Sequence, residues 1–196
     1  MKKRVESPDM SRSDRLPPRQ VWADDLAVYD INPRFEVDPE SYRFRITGLV
    51  SHELELTCKE LAGRSSVEVV ADFHCVTRWS VQELAWEGVP ARELLREAGP
   101  LENAHYVYVR CLDGYTTNMP LEALFREDCL FALKLGGQVL PREHGYPVRL
   151  VVPALYAWKS AKYVTEVELR SEDRPGYWEQ GGYHAVGDPW LEQRGA

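Results

Sequence analysis

Apolar and polar residues alternate with period two in several short stretches, and few stretches keep the spacing of a helix face. Tyr42-Arg43-Phe44-Arg45-Ile46-Thr47-Gly48 is a predicted half-buried strand. Val67-Glu68-Val69-Val70-Ala71-Asp72-Phe73-His74-Cys75 is another, with Val67, Val69, Ala71, Phe73 and Cys75 on one face and His74 on the other. His105 to Cys111 predicts a third strand, followed by the turn signal Asp113-Gly114. Val148 to Val152 reads as a central strand stopped by Pro153, and Tyr163 to Leu169 as a last strand rich in β-branched residues. Leu54 to Leu61 predicts a short helix ended by Gly63, and Pro90 to Gly99 a second with proline in its first turn and glycine at its end. Pro120 to Phe125 supplies one helical turn. Short strands with few helices point to a mixed, mainly β fold of the α+β class.

The two ends of the chain break this pattern. Residues 1–20 are polar, contain Pro8, Pro17 and Pro18, and suit a disordered, solvated arm. Residues 171–196 lack periodicity but hold Tyr177, Trp178, Tyr183 and Trp190, so an irregular backbone pinned to the domain by its rings is expected. Between them, 21–170 has the length of one domain, and a 196-residue chain buries roughly 70% of its unfolded surface without needing a disulfide or structural zinc.

Charge narrows the function. The net charge is −7, and the opening twenty residues carry a local +3, so no basic stripe covers the fold and a nucleic-acid partner is not expected. Met1-Lys2-Lys3-Arg4 is followed by Val5-Glu6-Ser7-Pro8-Asp9, with no apolar signal region and no twin arginine, and no run of 18 apolar residues exists. A cytoplasmic protein that does not meet a membrane is the expectation.

Cys58, Cys75, Cys111 and Cys129 form no C-x-x-C pair, which argues against a zinc ribbon or a thioredoxin-type couple. Three of them read as small buried apolar groups. Cys75 differs, because His74, Arg78 and Trp79 lie within four residues of it. A lone soft ligand in a polar, cationic setting suits a single-cysteine metal centre, and equally a buried thiol at a strand end. Phosphate loops, dinucleotide fingerprints, H-E-x-x-H and G-x-S-x-G are all missing from the sequence. A second cluster, His144, Arg149, Lys159, Ser160 and Lys162, gathers donors around an apolar segment. It could hold an anionic, phosphate-bearing cofactor, or Arg149 could be in a structural ion pair with both lysines in solvent.

Several segments together resemble the sulfite oxidase family of molybdenum enzymes, and its small stand-alone bacterial members in particular. They are Phe73-His74-Cys75-Val76-Thr77-Arg78-Trp79-Ser80, Trp86-Glu87-Gly88-Val89, Gly114-Tyr115-Thr116-Thr117-Asn118, Glu143 to Pro153, Trp158-Lys159-Ser160-Ala161-Lys162 and Gly187-Asp188-Pro189-Trp190, in order from about Val21 to Arg194. The resemblance implies a mainly β molybdopterin-binding domain with Cys75 as the protein ligand to molybdenum. It implies cofactor contacts from His144, Arg149, Ser160, Ala161 and Lys162, with Cys111, Tyr29 and Asp30 as looser matches. It places Tyr115 at the substrate pocket, and Arg78 is near enough in sequence to Cys75 to offer charge to an oxyanion. Neither a haem module before the domain nor an Ig-like dimerisation domain after it is seen, so a separate electron-transfer partner is expected. The implied activity is oxygen-atom transfer on a small sulfur oxyanion or an S- or N-oxide. The alternatives are a molybdopterin-binding module without turnover, and a metal-free cysteine hydrolase with His105, His144 or His184 as its base.

Overall fold

A computed structural model describes residues 3–32 and 35–195. In chain order they form β1 (Lys3–Glu6), β2 (Val21–Trp22), β3 (Arg43–Gly48), β4 (Leu54–Thr57), α1 (Cys58–Ala62), β5 (Val67–His74), β6 (Trp79–Pro90) and α2 (Ala91–Ala98). Then follow β7 (Tyr106–Cys111), β8 (Thr116–Pro120), β9 (Leu130–Leu135), β10 (Gln138–Val139), β11 (Arg149–Val151), β12 (Val164–Arg170) and α3 (Tyr177–Gln180). One sheet runs β1-β5-β6-β9-β10, with β11 also on β9 and β2 also on β6; the other runs β4-β3-β12-β7-β8. The α+β, mainly β architecture expected from the alternation is what the chain adopts.

The first sheet is buried on both faces. Along β9, Phe131 belongs to the larger core with Phe44, Val89 and Leu150, while Leu130 and Ala132 belong to a second core with Val69, Phe73 and Trp86. A strand that feeds two cores shows a continuous apolar run instead of alternation, which is why Leu-Phe-Ala-Leu gives no strand signal by period. The long β6 is hidden for a different reason. Register shifts interrupt its pairing with β5 between Ala71 and Phe73 and with β9 between Glu87 and Gly88, and Glu83 takes φ 53°. At Gly88 the backbones come so close that a Cβ would sit 2.0 Å from the Phe131 carbonyl oxygen.

Two expectations are corrected here. Leu54 to Leu61 is not one helix: Leu54–Thr57 pairs antiparallel with β3, and only then does α1 begin. Thr57 is the switch, since its hydroxyl caps the Glu60 N–H at 3.1 Å while the Glu60 carboxylate accepts the Thr57 N–H at 2.8 Å. Nor is the start of the chain a solvated arm from Lys3 onward. β1 pairs in parallel with β5 and buries Val5, Ser7 donates to the buried Asp128 at 2.6 Å, and Arg15 forks onto Asp72 at 2.6 and 2.8 Å. Its polar side chains find acceptors on the domain, and composition alone does not reveal partners that far away in sequence.

Candidate active site

Cys75 closes β5 and opens a tight turn. Its N–H donates to the Trp79 carbonyl at 2.9 Å, the Arg78 N–H returns to the Cys75 carbonyl at 3.0 Å, and Arg78 takes φ 76°. The turn aims the Cys75 side chain into a cavity of about 540 Å³. The thiol is buried, which pushes its pKa up, and its sulfur lies 3.2 Å from the Thr77 hydroxyl. His74 faces away: Nδ1 is 2.8 Å from the Ser80 hydroxyl, and its ring meets Trp190 edge-on at 6.0 Å.

The basic wall of the cavity comes from β11 and the loop that follows it. Arg149 is 6% exposed, and its guanidinium lies over the rings of Phe73 and Trp86, at 5.1 and 5.2 Å. Nη1 donates to the His144 carbonyl at 3.1 Å, and Nε has no hydrogen-bond partner among the described residues. Burial lowers its pKa to about 10. Lys162 meets Asp30 and donates to the Glu143 carbonyl at 3.0 Å; burial lowers its pKa, and Asp30 opposes that. Burial and the charge of Arg149 lower the pKa of the His144 imidazole. Ser160 accepts the Val152 N–H at 3.0 Å, so its side chain shapes the loop and leaves backbone to face the cavity. The Tyr115 ring lines the cavity while its hydroxyl donates to the Trp158 carbonyl at 2.7 Å, and burial raises its pKa well above the usual value.

Of the predicted site residues, Tyr29, Asp30, Cys75, Tyr115, His144, Arg149, Ser160, Ala161 and Lys162 all line this one cavity. Arg78 and Cys111 do not. Arg78 closes its turn in a left-handed conformation, with an exposed side chain that does not line the cavity. Cys111 faces the larger core, 7% exposed, with its pKa raised by burial. The structural ion pair considered for Arg149 does not form among the described residues, and neither Lys159 nor Lys162 faces solvent.

Sequence reasoning missed the aromatic wall. Trp79 and Trp158 line the cavity together with Tyr177, Trp178 and Tyr183 from the irregular end of the chain. Tyr115 packs against Tyr177 at 6.1 Å, Tyr183 meets Trp158 edge-on and stacks on Trp178, both at 5.1 Å, and Tyr29 stacks on Trp79 at 6.5 Å. The available signal was the density of rings in a stretch too irregular for a strand or helix.

The comparisons with known proteins agree with this geometry. Residues 31–178 match the model of the oxidoreductase molybdopterin-binding domain. The chain belongs to that family. It is 38% identical over 185 residues to the uncharacterized oxidoreductase YuiH of Bacillus subtilis, covering 93% of each chain. It is 34% identical to the putative protein-methionine-sulfoxide reductase subunit YedZ1 of Azospira oryzae, over 82% of this chain and 61% of that one, so less than two thirds of that relative is represented. In fold it matches the sulfane dehydrogenase SoxCD of Paracoccus pantotrophus with a TM-score of 0.65 at 24% identity, covering 76% of this chain and 42% of that one. The protein is thus a molybdopterin-dependent oxidoreductase of the sulfite oxidase-like kind, and its cofactor is molybdenum–molybdopterin. The residues present fit that group: the cavity lies in the size range of small-ligand pockets, roughly 300–1,000 Å³. It offers one soft thiol for a metal and, for an anion, a buried guanidinium that has no carboxylate partner among the described residues.

Proposed function

We propose that the protein transfers an oxygen atom to or from a small sulfur oxyanion or an S- or N-oxide at a molybdenum centre held by Cys75. The observation that carries this reading is the convergence of the Cys75 sulfur and the unpaired Arg149 guanidinium on one aromatic-walled cavity. When bound, the cofactor supplies a metal able to exchange an oxygen atom and two electrons with substrate. Cys75 supplies the thiolate. Arg149 and Lys162, with His144, hold the anionic and polar parts of the carrier. Loop backbone at Ser160 and Ala161, together with Tyr29 and Asp30, completes the cradle. The Tyr115 ring and its neighbours Tyr177 and Trp178 orient substrate and exclude water. A separate protein partner exchanges the two electrons, and we place the enzyme in the cytoplasm. The alternative of a metal-free cysteine hydrolase is disfavoured by Cys75 itself, whose sulfur neighbours the Thr77 hydroxyl and whose pKa is raised by burial, the reverse of an activated nucleophile.

The test combines metal and pterin analysis of freshly purified protein with dye-linked assays on sulfite, dimethyl sulfoxide and trimethylamine N-oxide. Stoichiometric molybdenum with turnover on one of these is expected, and molybdenum without turnover would leave a binding module. Cys75→Ser should fold normally and lose nearly all activity, since a hydroxyl is a harder ligand. Full turnover in that variant would exclude direct ligation.

A further inference from the structure

The turn that presents Cys75 is gripped from both ends of the chain. Its own hydrogen bonds close the Cys75–Arg78 loop but do not fix that loop against the cavity wall. Gln20 Nε2 donates to the Cys75 carbonyl at 3.0 Å, from the segment that leads into β2. From the other end, Arg194 Nη1 donates to the Val76 carbonyl, and Nη2 reaches the Pro18 carbonyl at 3.3 Å. The Arg194 guanidinium also lies over the Tyr156 ring at 5.0 Å, on the loop between β11 and β12 that carries Trp158 to Lys162. One side chain, only 19% exposed, therefore ties the N-terminal segment, the thiol-bearing turn and the cofactor-facing loop together. Its charge sits against the Val76 carbonyl, on the backbone side of the turn that carries the sulfur.

We propose that Arg194 is a positioning residue for the metal centre, fixing the Cys75 turn and setting the electrostatic potential behind the ligand sulfur. This rests on the reading of Cys75 as the metal ligand. An arginine that only fastened the end of the chain would affect melting temperature and nothing at the sulfur. A positioning arginine affects the sulfur directly, in two ways that can be read separately.

The first readout uses cofactor-free protein: the limiting, pH-independent rate of iodoacetamide modification of Cys75, followed by peptide mass spectrometry, which reports access to the sulfur and not its ionised fraction. With the turn no longer anchored, the buried sulfur of Arg194→Ala should open to the reagent and react at least about tenfold faster than wild type, and Arg194→Lys should return to within about threefold, because a lysine can still donate to the Val76 carbonyl. The second readout uses the loaded enzyme: the EPR signature and midpoint potential of the metal. Removing a nearby positive charge should lower the potential in Arg194→Ala and in Arg194→Gln, and Arg194→Lys should restore it. Wild-type modification rates together with a wild-type potential in Arg194→Ala would overturn the proposal. If that variant does not fold, Arg194→Gln decides: an unchanged potential there overturns the electrostatic role. Cys75→Ser, measured in parallel, separates the two ideas. A wild-type EPR spectrum in Cys75→Ser would sink the ligation reading, while an altered spectrum there beside an unaltered one in Arg194→Ala would sink only the role of Arg194.

Discussion

Two buried cations stand near the same cavity and are treated in opposite ways. Lys159 is fully buried, and its ammonium is saturated: it donates to the Asn118 carbonyl at 2.5 Å and to Glu179 and the Ala185 carbonyl, both at 2.6 Å. The same Glu179 oxygen also accepts the Trp158 indole N–H at 2.8 Å and the Thr117 hydroxyl at 3.0 Å. Among the described residues, Arg149 has one carbonyl, two aromatic faces and an Nε with nothing to donate to. Burying a charge is costly unless it is paired, so a fold that pairs one cation and leaves the other short has different uses for them. Lys159 locks the final segment, with its Tyr177, Trp178 and Tyr183, against β8 and the cofactor-facing loop. Arg149 keeps donor capacity for an anion that arrives from outside the chain.

The largest effect should come from breaking the saturated site. Lys159→Met strands Glu179 as an uncompensated buried carboxylate, and the expected loss is about 3–5 kcal/mol in urea unfolding. Glu179→Gln in the same chain should recover much of that loss; a Lys159→Met protein as stable as wild type would make the contrast with Arg149 meaningless. His74 gives a third answer to the same problem, since it is buried without a charge. Burial lowers its pKa from 6.5 to about 4, so the unfolded chain takes up the proton first as pH falls. Its contribution is therefore complete above pH 6.5 and is lost progressively between 6.5 and about 4, by up to about 3 kcal/mol. His74→Gln should flatten the melting temperature over that window, and an undiminished slope would show that other groups carry it.

How far the sequence revealed this contrast depended on the range of the interactions. The strands around Phe44 and Val107 were legible because each has one face in a core and so alternates. β6 and β9 were not, since bulges scramble one and two cores flank the other. Motif order located Cys75, Arg149 and Lys162 on one cavity, although nothing local in the sequence says that Lys159 turns inward while Lys162 meets Asp30. The partner that decides Lys159 is Glu179, twenty residues on in a stretch without periodicity. The exclusion of Arg78 has the same character, since Arg78 closes its turn in a left-handed conformation that no pattern of apolar positions announces.

The smallest effects should appear at the unsaturated site. Arg149→Met removes a cation whose burial is uncompensated in the cofactor-free protein, so that protein should be as stable as wild type or more stable by about 1 kcal/mol. Pterin and molybdenum content of the same variant should nevertheless fall sharply, because the lost donors are those an anionic carrier would use. Inorganic phosphate then tests the site without the cofactor. If Arg149 holds spare capacity for an oxyanion, phosphate at tenfold its dissociation constant should stabilise the cofactor-free wild type by about 1.4 kcal/mol. The Arg149→Met protein should show none of that gain, whereas Lys159→Met, measured against its own lower baseline, should keep it. Equal phosphate stabilisation in wild type and Arg149→Met would mean that the unpaired guanidinium is not an anion site, and that its Nε is left without a partner for some reason other than binding.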